Sequence, residues 1–387
     1  MIFLHVADLH LGKVVNDFSM LEDQKFILEQ ICGMAKENHA DAVVIAGDIY
    51  DRAIPPGEAV TLLDSFLNTL TTLDIQVIMI SGNHDSPERI SFGENLLSRQ
   101  GVHISGMYKA ELTKIVFKEE ERETEFVLLP FVKPAQIGGR TSGEAVERML
   151  ECYWQEEDKK KPKNRVLVTH FFVTHQGKEP ELSDSETTIH VGGLDNVDAS
   201  LFQGFDYVAL GHIHKPQQIG EGQVWYAGAP LKYSFGETSQ TKKALLIRLG
   251  GKGLEEVRPL SLRPMREMRK IEGSLKEILE GAIEDSVERN GQYQDYIQAI
   301  LTDEGELIDP IGTIRSVYPN VMQIVRKEAE HASDKGVILK NKSRMLAGQR
   351  DVLSLFEAFY QEVRQAELTD ESRQAVTDIV KELEGNE

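Results

Sequence analysis

Cysteine is scarce in this chain: Cys32 and Cys152 are the only two in 387 residues. So few thiols build no disulfide framework, which fits a reducing compartment and excludes the small cross-linked folds of secreted proteins. No run of about 18 apolar residues occurs, so no membrane-spanning helix is expected. The opening MIFLHVADLH brings in Asp and His too early for the apolar core of a signal peptide. Gly and Pro are ordinary at 31 and 13, which excludes collagen-like and disordered Gly/Pro-rich chains. Internal repeats and low-complexity segments are also lacking. Basic residues are in deficit, 43 Lys and Arg against 63 Asp and Glu, for a formal net charge of −20. That balance disfavours loose electrostatic attachment to nucleic acid, although a local basic face or bound divalent cations would still attract phosphate. The expectation is a soluble cytoplasmic protein of two or three domains.

What is present is a layered α/β pattern. Near-continuous apolar runs at residues 2–7, 41–47, 76–82, 165–170 and 206–212 read as strands buried on both faces. Helical spacing separates them at 20–39, with Leu21, Phe26, Ile27, Ile31 and Met34, and again at 57–73. Residues 113–131 read as a hairpin whose Glu-rich tip is solvated surface. From about 255 the texture changes. Arg258, Arg263, Arg266, Arg269 and Lys270 cluster around Glu267, and a smaller α/β unit follows, helical at 275–287 and strand-like at 295–302 and 320–327. Residues 328–350 are polar and aperiodic, hence a linker. The tail regains helical spacing in two stripes, Val352, Phe356, Phe359 and Val363, then Val376, Ile379, Val380 and Leu383, with an N-cap at Thr369–Asp370 between them. The boundaries expected are 1–257, 258–327, 328–350 and 351–387.

Metal-ligand residue types follow strand after strand: Asp8 and His10, then Asp48, then Asn83, His84 and Asp85, then His170, then His212 and His214. The carboxyl ends of neighbouring strands in an α/β sheet share one edge, where ligands gather. Seven donors are therefore expected to converge: Asp8, His10, Asp48, Asn83, His170, His212 and His214. Any of these alone reads as a helix cap or a structural histidine, but five such strand ends occur together and capping does not require His. Imidazole, carboxylate and amide donors without thiolate suit manganese, iron or zinc. Seven donors exceed the needs of one tetrahedral ion, so two are expected, with Asp48 as the natural bridge. The glycines before Asp48, Asn83 and His212 are expected to allow sharp turns and close approach.

In order, Asp8-x-His10, Gly47-Asp48, Gly82-Asn83-His84-Asp85, His170 and Gly211-His212-x-His214 resemble the calcineurin-like metallophosphoesterase superfamily. Within it, residues 5–13, 47–56, 82–90, 168–172, 206–217 and 225–237, the Arg-rich unit and the helical tail resemble the bacterial double-strand DNA nuclease subunits. The resemblance covers nearly the whole chain. It implies a four-layer β-sandwich flanked by helices, a small α/β capping domain at 258–327 and a C-terminal helix-loop-helix at 351–387. It implies two manganese ions, or magnesium or another divalent metal: Asp8, His10, Asp48 and His214 on one, and Asp48, Asn83, His170 and His212 on the other. His84 would contact the scissile phosphate or protonate the leaving oxygen, oriented by Asp85. Asp51 stands where archaeal and eukaryotic relatives have histidine.

The activity implied is a double-strand exonuclease and single-strand endonuclease for DNA ends and hairpins in repair, recombination and replication. The partners implied are DNA, an ATPase whose coiled-coil base takes the C-terminal helices, and a second copy of the chain through residues 57–100, giving a heterotetramer. The residues leave two points open. The Arg-rich segment is either a solvated linker or a DNA-gripping surface, and the tail's stripes pack either on each other or on that partner.

Overall fold

The five strands predicted from apolar runs lie in two mixed six-stranded sheets that face each other. In the computed structural model, the described residues are 1–119, 122–156, 163–183, 195–220, 222–288, 294–303, 305–327, 372–374, 376 and 377. The chain divides into two units, Met1–Ile324 and Val325–Glu387. The linker expected at 328–350 lies outside the described residues, as does nearly all of the tail, of which residues 372–374 and 376–377 are helical.

The first sheet runs Gly253–Ser261, Lys243–Gly250, Ile2–Val6, Ala42–Ala46, Gln76–Ile80 and Val102–Ser105 in spatial order. Its last four strands are mutually parallel and Lys243–Gly250 is antiparallel to Ile2–Val6. The second sheet runs Gln217–Gln218, Val224–Tyr226, Tyr207–Gly211, Lys163–His170, Arg122–Leu129 and Thr113–Glu119. Thr113–Glu119 and Arg122–Leu129 form the predicted hairpin.

Alternation along each strand explains the unbroken apolar runs. Phe3, Val44, Ile78, Phe126, Leu128, Val166 and Tyr207 fill the space between the sheets. Their neighbours Leu4, Val43, Ile45, Val77 and Met79 point outward onto Ile27 and Ile31 of the helix Leu21–Glu37 and Leu63, Phe66 and Leu70 of the helix Gly57–Thr72. On the far side, Val127, Leu129, Leu167, Val208 and Leu210 pack under Val146, Met149, Leu150 and Tyr153 of the helix Ser142–Glu156. The result is helices, sheet, sheet, helix, the four layers expected. Burying both faces of a strand contributes about 25 cal/mol for each Å² of apolar surface removed from water, which fixes the sheets as the rigid frame.

A smaller sheet, Met268–Gly273, Tyr296–Leu301 and Val321–Arg326, carries the helices Leu275–Glu288 and Pro310–Arg315 over Ile278, Ile297, Ala299, Ile314 and Val321. The boundary expected at 257/258 falls inside a strand, because Arg258–Ser261 still pairs with the first sheet and Leu262 is buried in the main core. Met268 and Tyr296 of the small unit also reach that core. Among the described residues, no helix is long and apolar enough to cross a membrane.

Candidate metal centre

Loops from both sheets meet at one edge, and main-chain hydrogen bonds knit the first two together. Asp8 N donates to Gly47 O at 3.1 Å, His10 N to Asp48 O at 3.0 Å and Leu11 N to Ile49 O at 2.9 Å. Asp8, His10, Asp48 and His212 all have positive φ, at 52°, 44°, 48° and 107°. Such conformations cost on the order of 1–3 kcal/mol each and persist only where the surroundings impose them. Gly47 has φ +87°, and a Cβ there would stand 2.4 Å from His170 Nδ1. Gly211 serves close approach rather than turning, since a Cβ on it would lie 1.9 Å from Ala46 O.

Asp48 stands at the middle. Its Oδ2 lies 3.4 Å from His170 Nε2, 3.7 Å from His10 Nε2 and 3.9 Å from His84 Nε2, and its Oδ1 accepts the His84 N–H at 2.9 Å. Asn83 Oδ1 is 3.0 Å from both His170 Nε2 and His212 Nδ1. His10 and His214 meet Nε2 to Nε2 at 3.2 Å. Asp8 accepts the His212 N–H through both oxygens, at 2.9 and 3.1 Å. All seven expected donors are thus brought to one place, from loops after five strands of both sheets. Asp8, His10, Asp48, His170 and His214 are buried, whereas Asn83, His84 and His212 are half-buried and form the open side. His10, Asp48 and His84 offer atoms within 4.8 Å of one another, and so do Asp8, Asp48 and His170.

The electrostatics fit positive charge. Burial raises the Asp8 carboxyl. Burial acts on Asp48 in the same sense but is overcome by His170, His10 and His84, which hold it far below the carboxylate range. Burial would depress His170, yet the charge of Asp48 beside it and Asp8 behind it lift it to about 9. With His170 Nδ1 donating to Ala46 O at 2.8 Å, its Nε2 faces two oxygen acceptors, Asn83 Oδ1 and Asp48 Oδ2. Oxygen and nitrogen donors crowded around that point, with no thiolate, suit hard or borderline divalent cations.

One expectation changes in detail. Asp85, expected to orient His84, does not touch its ring. The carboxylate instead accepts the main-chain N–H of Ile49, Tyr50 and Gly82 at 3.1, 2.9 and 2.9 Å, clamping the second loop to the third. The short reach of Asp and three unsatisfied amides at the turns explain this use. His84 Nδ1 is held by the main-chain oxygen of Asp51 at 2.9 Å. Spacing also gave no sign of Glu237, which is fully buried, lies 3.4 Å from His214 Nδ1 and accepts from Lys242 at 2.6 Å. Its place at the end of the 225–237 stretch was the one available signal. Tyr233, whose hydroxyl donates to Leu9 O at 2.6 Å, and Gln24, which donates to His10 O at 2.7 Å, brace the first loop.

Facing mixed sheets carrying a nitrogen and oxygen donor cluster at their common edge define a hydrolytic metal centre for phosphate esters. Residues 1–216 match the calcineurin-like phosphoesterase family, and the chain belongs to it. Residues 264–364 match the type 5 capsule protein repressor C-terminal domain. Over 386 residues the chain is 31% identical to the D subunit of the nuclease SbcCD of Staphylococcus epidermidis, covering 98% of this chain and 97% of that protein. Two solved structures are similar at low identity. One is TT1561 of Thermus thermophilus (14% identity, TM-score 0.40, 68% of this chain and 99% of that one). The other is a dimetal phosphatase from Danio rerio (12%, TM-score 0.39, 68% and 98%).

Proposed function

We propose that this chain is a manganese-dependent DNA nuclease, with double-strand exonuclease and single-strand endonuclease activity, working with the SbcC ATPase on DNA ends and hairpins in repair, recombination and replication. The observation that carries the reading is its likeness to the D subunit of the nuclease SbcCD over nearly the full length of both proteins. That likeness extends past the phosphoesterase region into the appended unit, which a small-molecule phosphatase does not need.

In this reading Asp8, His10, Asp48 and His214 hold one cation, and Asp48, Asn83, His170 and His212 the other. Divalent cations bound there supply Lewis-acid polarisation of the phosphate and a nucleophile available at neutral pH. The protein's own groups do the rest. Asp85 clamps the loops, the Asp51 carbonyl fixes the His84 ring, and His84 Nε2 reaches the open side to hydrogen-bond the phosphate or give a proton to the leaving oxygen. Residues 1–257 with the strand completed at 261 act as the nuclease unit, the rest of 258–327 as the capping unit and 328–350 as a linker. Residues 351–387 dock on the coiled-coil base of SbcC. Ile54, Val60, Phe92 and Leu96 are exposed apolar residues in the 54–96 stretch, which supports homodimerisation there and a heterotetramer with SbcC in the cytoplasm.

The test compares manganese-dependent degradation of linear duplex DNA with hydrolysis of an aryl phosphate, with and without SbcC and ATP. Degradation of DNA is expected, and a chain ending near Gly348 should bind metal yet fail to retain SbcC. Turnover of the aryl phosphate with intact DNA would overturn the nuclease reading.

A further inference from the structure

One short segment, residues 226–235, passes through all three apolar cores of the paired sheets. Tyr226 packs in the core under the helix Ser142–Glu156, and Ala227 lies between the sheets. Ala229, Leu231, Tyr233 and Phe235 belong to the core under the helices Leu21–Glu37 and Gly57–Thr72. Residues 227–234 form no helix or strand, yet 227–231 are buried. Buried main chain outside regular structure has to find its partners in neighbouring loops. Ala229 N donates to His214 O at 3.1 Å, and a Cβ on Gly228, at φ +78°, would stand 2.6 Å from that same oxygen. Each tyrosine hydroxyl both donates and accepts. Tyr226 donates to Phe171 O at 2.8 Å and accepts the Val173 N–H at 2.7 Å. Tyr233 donates to Leu9 O at 2.6 Å and accepts from Gln24 Nε2 at 3.1 Å. Phe171 follows His170, and Leu9 lies between Asp8 and His10. The hydroxyls therefore grip main chain beside donors that come from opposite sheets.

We propose that residues 226–235 are a strap that fixes the Asp8–His10 loop relative to the His170 loop, with Tyr226 and Tyr233 as positioning residues that act through the main chain. This rests on the metal reading of the site given above. Apolar contact between the sheets is non-directional and leaves their relative placement loosely set. Cations held by donors of both sheets need more, because ligand distances are kept to within about 0.2 Å. Hydrogen bonds supply the direction that apolar contact lacks. The donors tie the sheets directly through Asp8 with His212 N and through His170 Nδ1 with Ala46 O, and the strap adds a grip on the chain beside them. With both hydroxyls on one short segment, releasing either one loosens the anchor of the other, so the two act as a unit.

The test is calorimetric titration of the whole metal-free chain with manganese chloride. Tyr226→Phe and Tyr233→Phe each remove one oxygen and keep the ring. Each should weaken manganese binding by about 10-fold, and the double variant by less than the product of the two, as parts of one unit do. Tyr207→Phe is the comparison, since that hydroxyl is also buried but meets His5 Nδ1 at 2.9 Å, strand to strand and on no donor loop. It should lower the melting temperature and leave manganese affinity unchanged. Melting of every metal-free variant reports whether the fold is kept. Unchanged manganese affinity in either strap variant would reduce that tyrosine to a structural role and overturn the proposal. Equal weakening by Tyr207→Phe, or a double variant whose effect is the full product, would overturn it too. Absence of any manganese binding by the unmodified chain would overturn the metal reading with it.

Discussion

The main-chain oxygen of Asp51 lies 2.9 Å from Nδ1 of His84, which places the ring's other nitrogen 3.9 Å from Asp48 Oδ2 on the open side of the centre. A carbonyl only accepts, so Nδ1 carries a proton, and Nε2, which donates when the ring holds a second one, is left for substrate. His84→Gln keeps a polar side chain but loses this geometry. It should lower phosphodiester turnover by about 100- to 10,000-fold while manganese binding persists. Calorimetry on that variant decides the role, because loss of the metal together with activity would make His84 a ligand instead.

The metal-free protein should lose stability on the alkaline side. His170 has its pKa lifted from 6.5 to about 9, mainly by Asp48 against the opposing effect of burial. A histidine raised in the fold contributes stability that is fully present below its unfolded value and is lost as pH rises through its folded one. Thermal melts in a chelator should therefore fall between about pH 6.5 and 9, by up to about 3 kcal/mol, and saturating manganese should flatten the slope by replacing the proton. A chelated protein whose melting temperature holds steady across that window would contradict the charge balance described for Asp48 and His170.

Much of this centre was legible from the sequence because strand ends are legible. Runs such as 41–47 and 76–82 are apolar on both faces only where helices and a second sheet cover them, so the polar residue that ends each run marks the sheet edge. What was not legible depends on contacts between distant segments. The strand Gly253–Ser261 is polar along most of its length because it lies at a sheet edge, and its pairing with Lys243–Gly250 moves the unit boundary past 257. Glu237 is one acid among many until the fold seats it behind His214. Asp85 sits beside His84 in sequence, yet three amides from two loops take its carboxylate.

Gly211→Ala should separate the two sheets where they support the metal centre. The added carbon would stand 1.9 Å from Ala46 O and 2.7 Å from His170 Nδ1, so it collides with the link that holds His170 in place. Backbone must shift, at a cost of about 1–3 kcal/mol, and the His170 end should lose metal affinity as well. Gly57→Ala, where nothing stands within 4 Å of the new carbon, is the control and should be close to neutral in urea denaturation. Equal stability of the two variants would show that the sheets are not tightly coupled at this edge.

The Arg-rich segment divides into residues that hold the small unit in place and residues that face solvent. Arg266 donates to Asp23 at 2.6 Å and also pairs with Glu22, and the Tyr296 hydroxyl donates to the same Asp23 carboxylate at 2.7 Å. Arg269 is in an ion pair with Asp295 at 2.8 Å. With the Arg266 side chain 14% exposed and Asp23 only 1%, Arg266→Met leaves a buried carboxylate without its cation, and such a loss costs about 3–5 kcal/mol. Arg258, Arg263 and Lys270 are exposed, and since Arg258 donates to Asn38 Oδ1 at 2.7 Å, Arg263 and Lys270 are the two best able to meet a phosphate backbone. Neutralising both with Gln should leave the melting temperature alone and lower the slope of log affinity for duplex DNA against log salt by about two. An unchanged slope in that double variant would remove the basic segment from the DNA path, and an undiminished melting temperature in Arg266→Met would remove the brace.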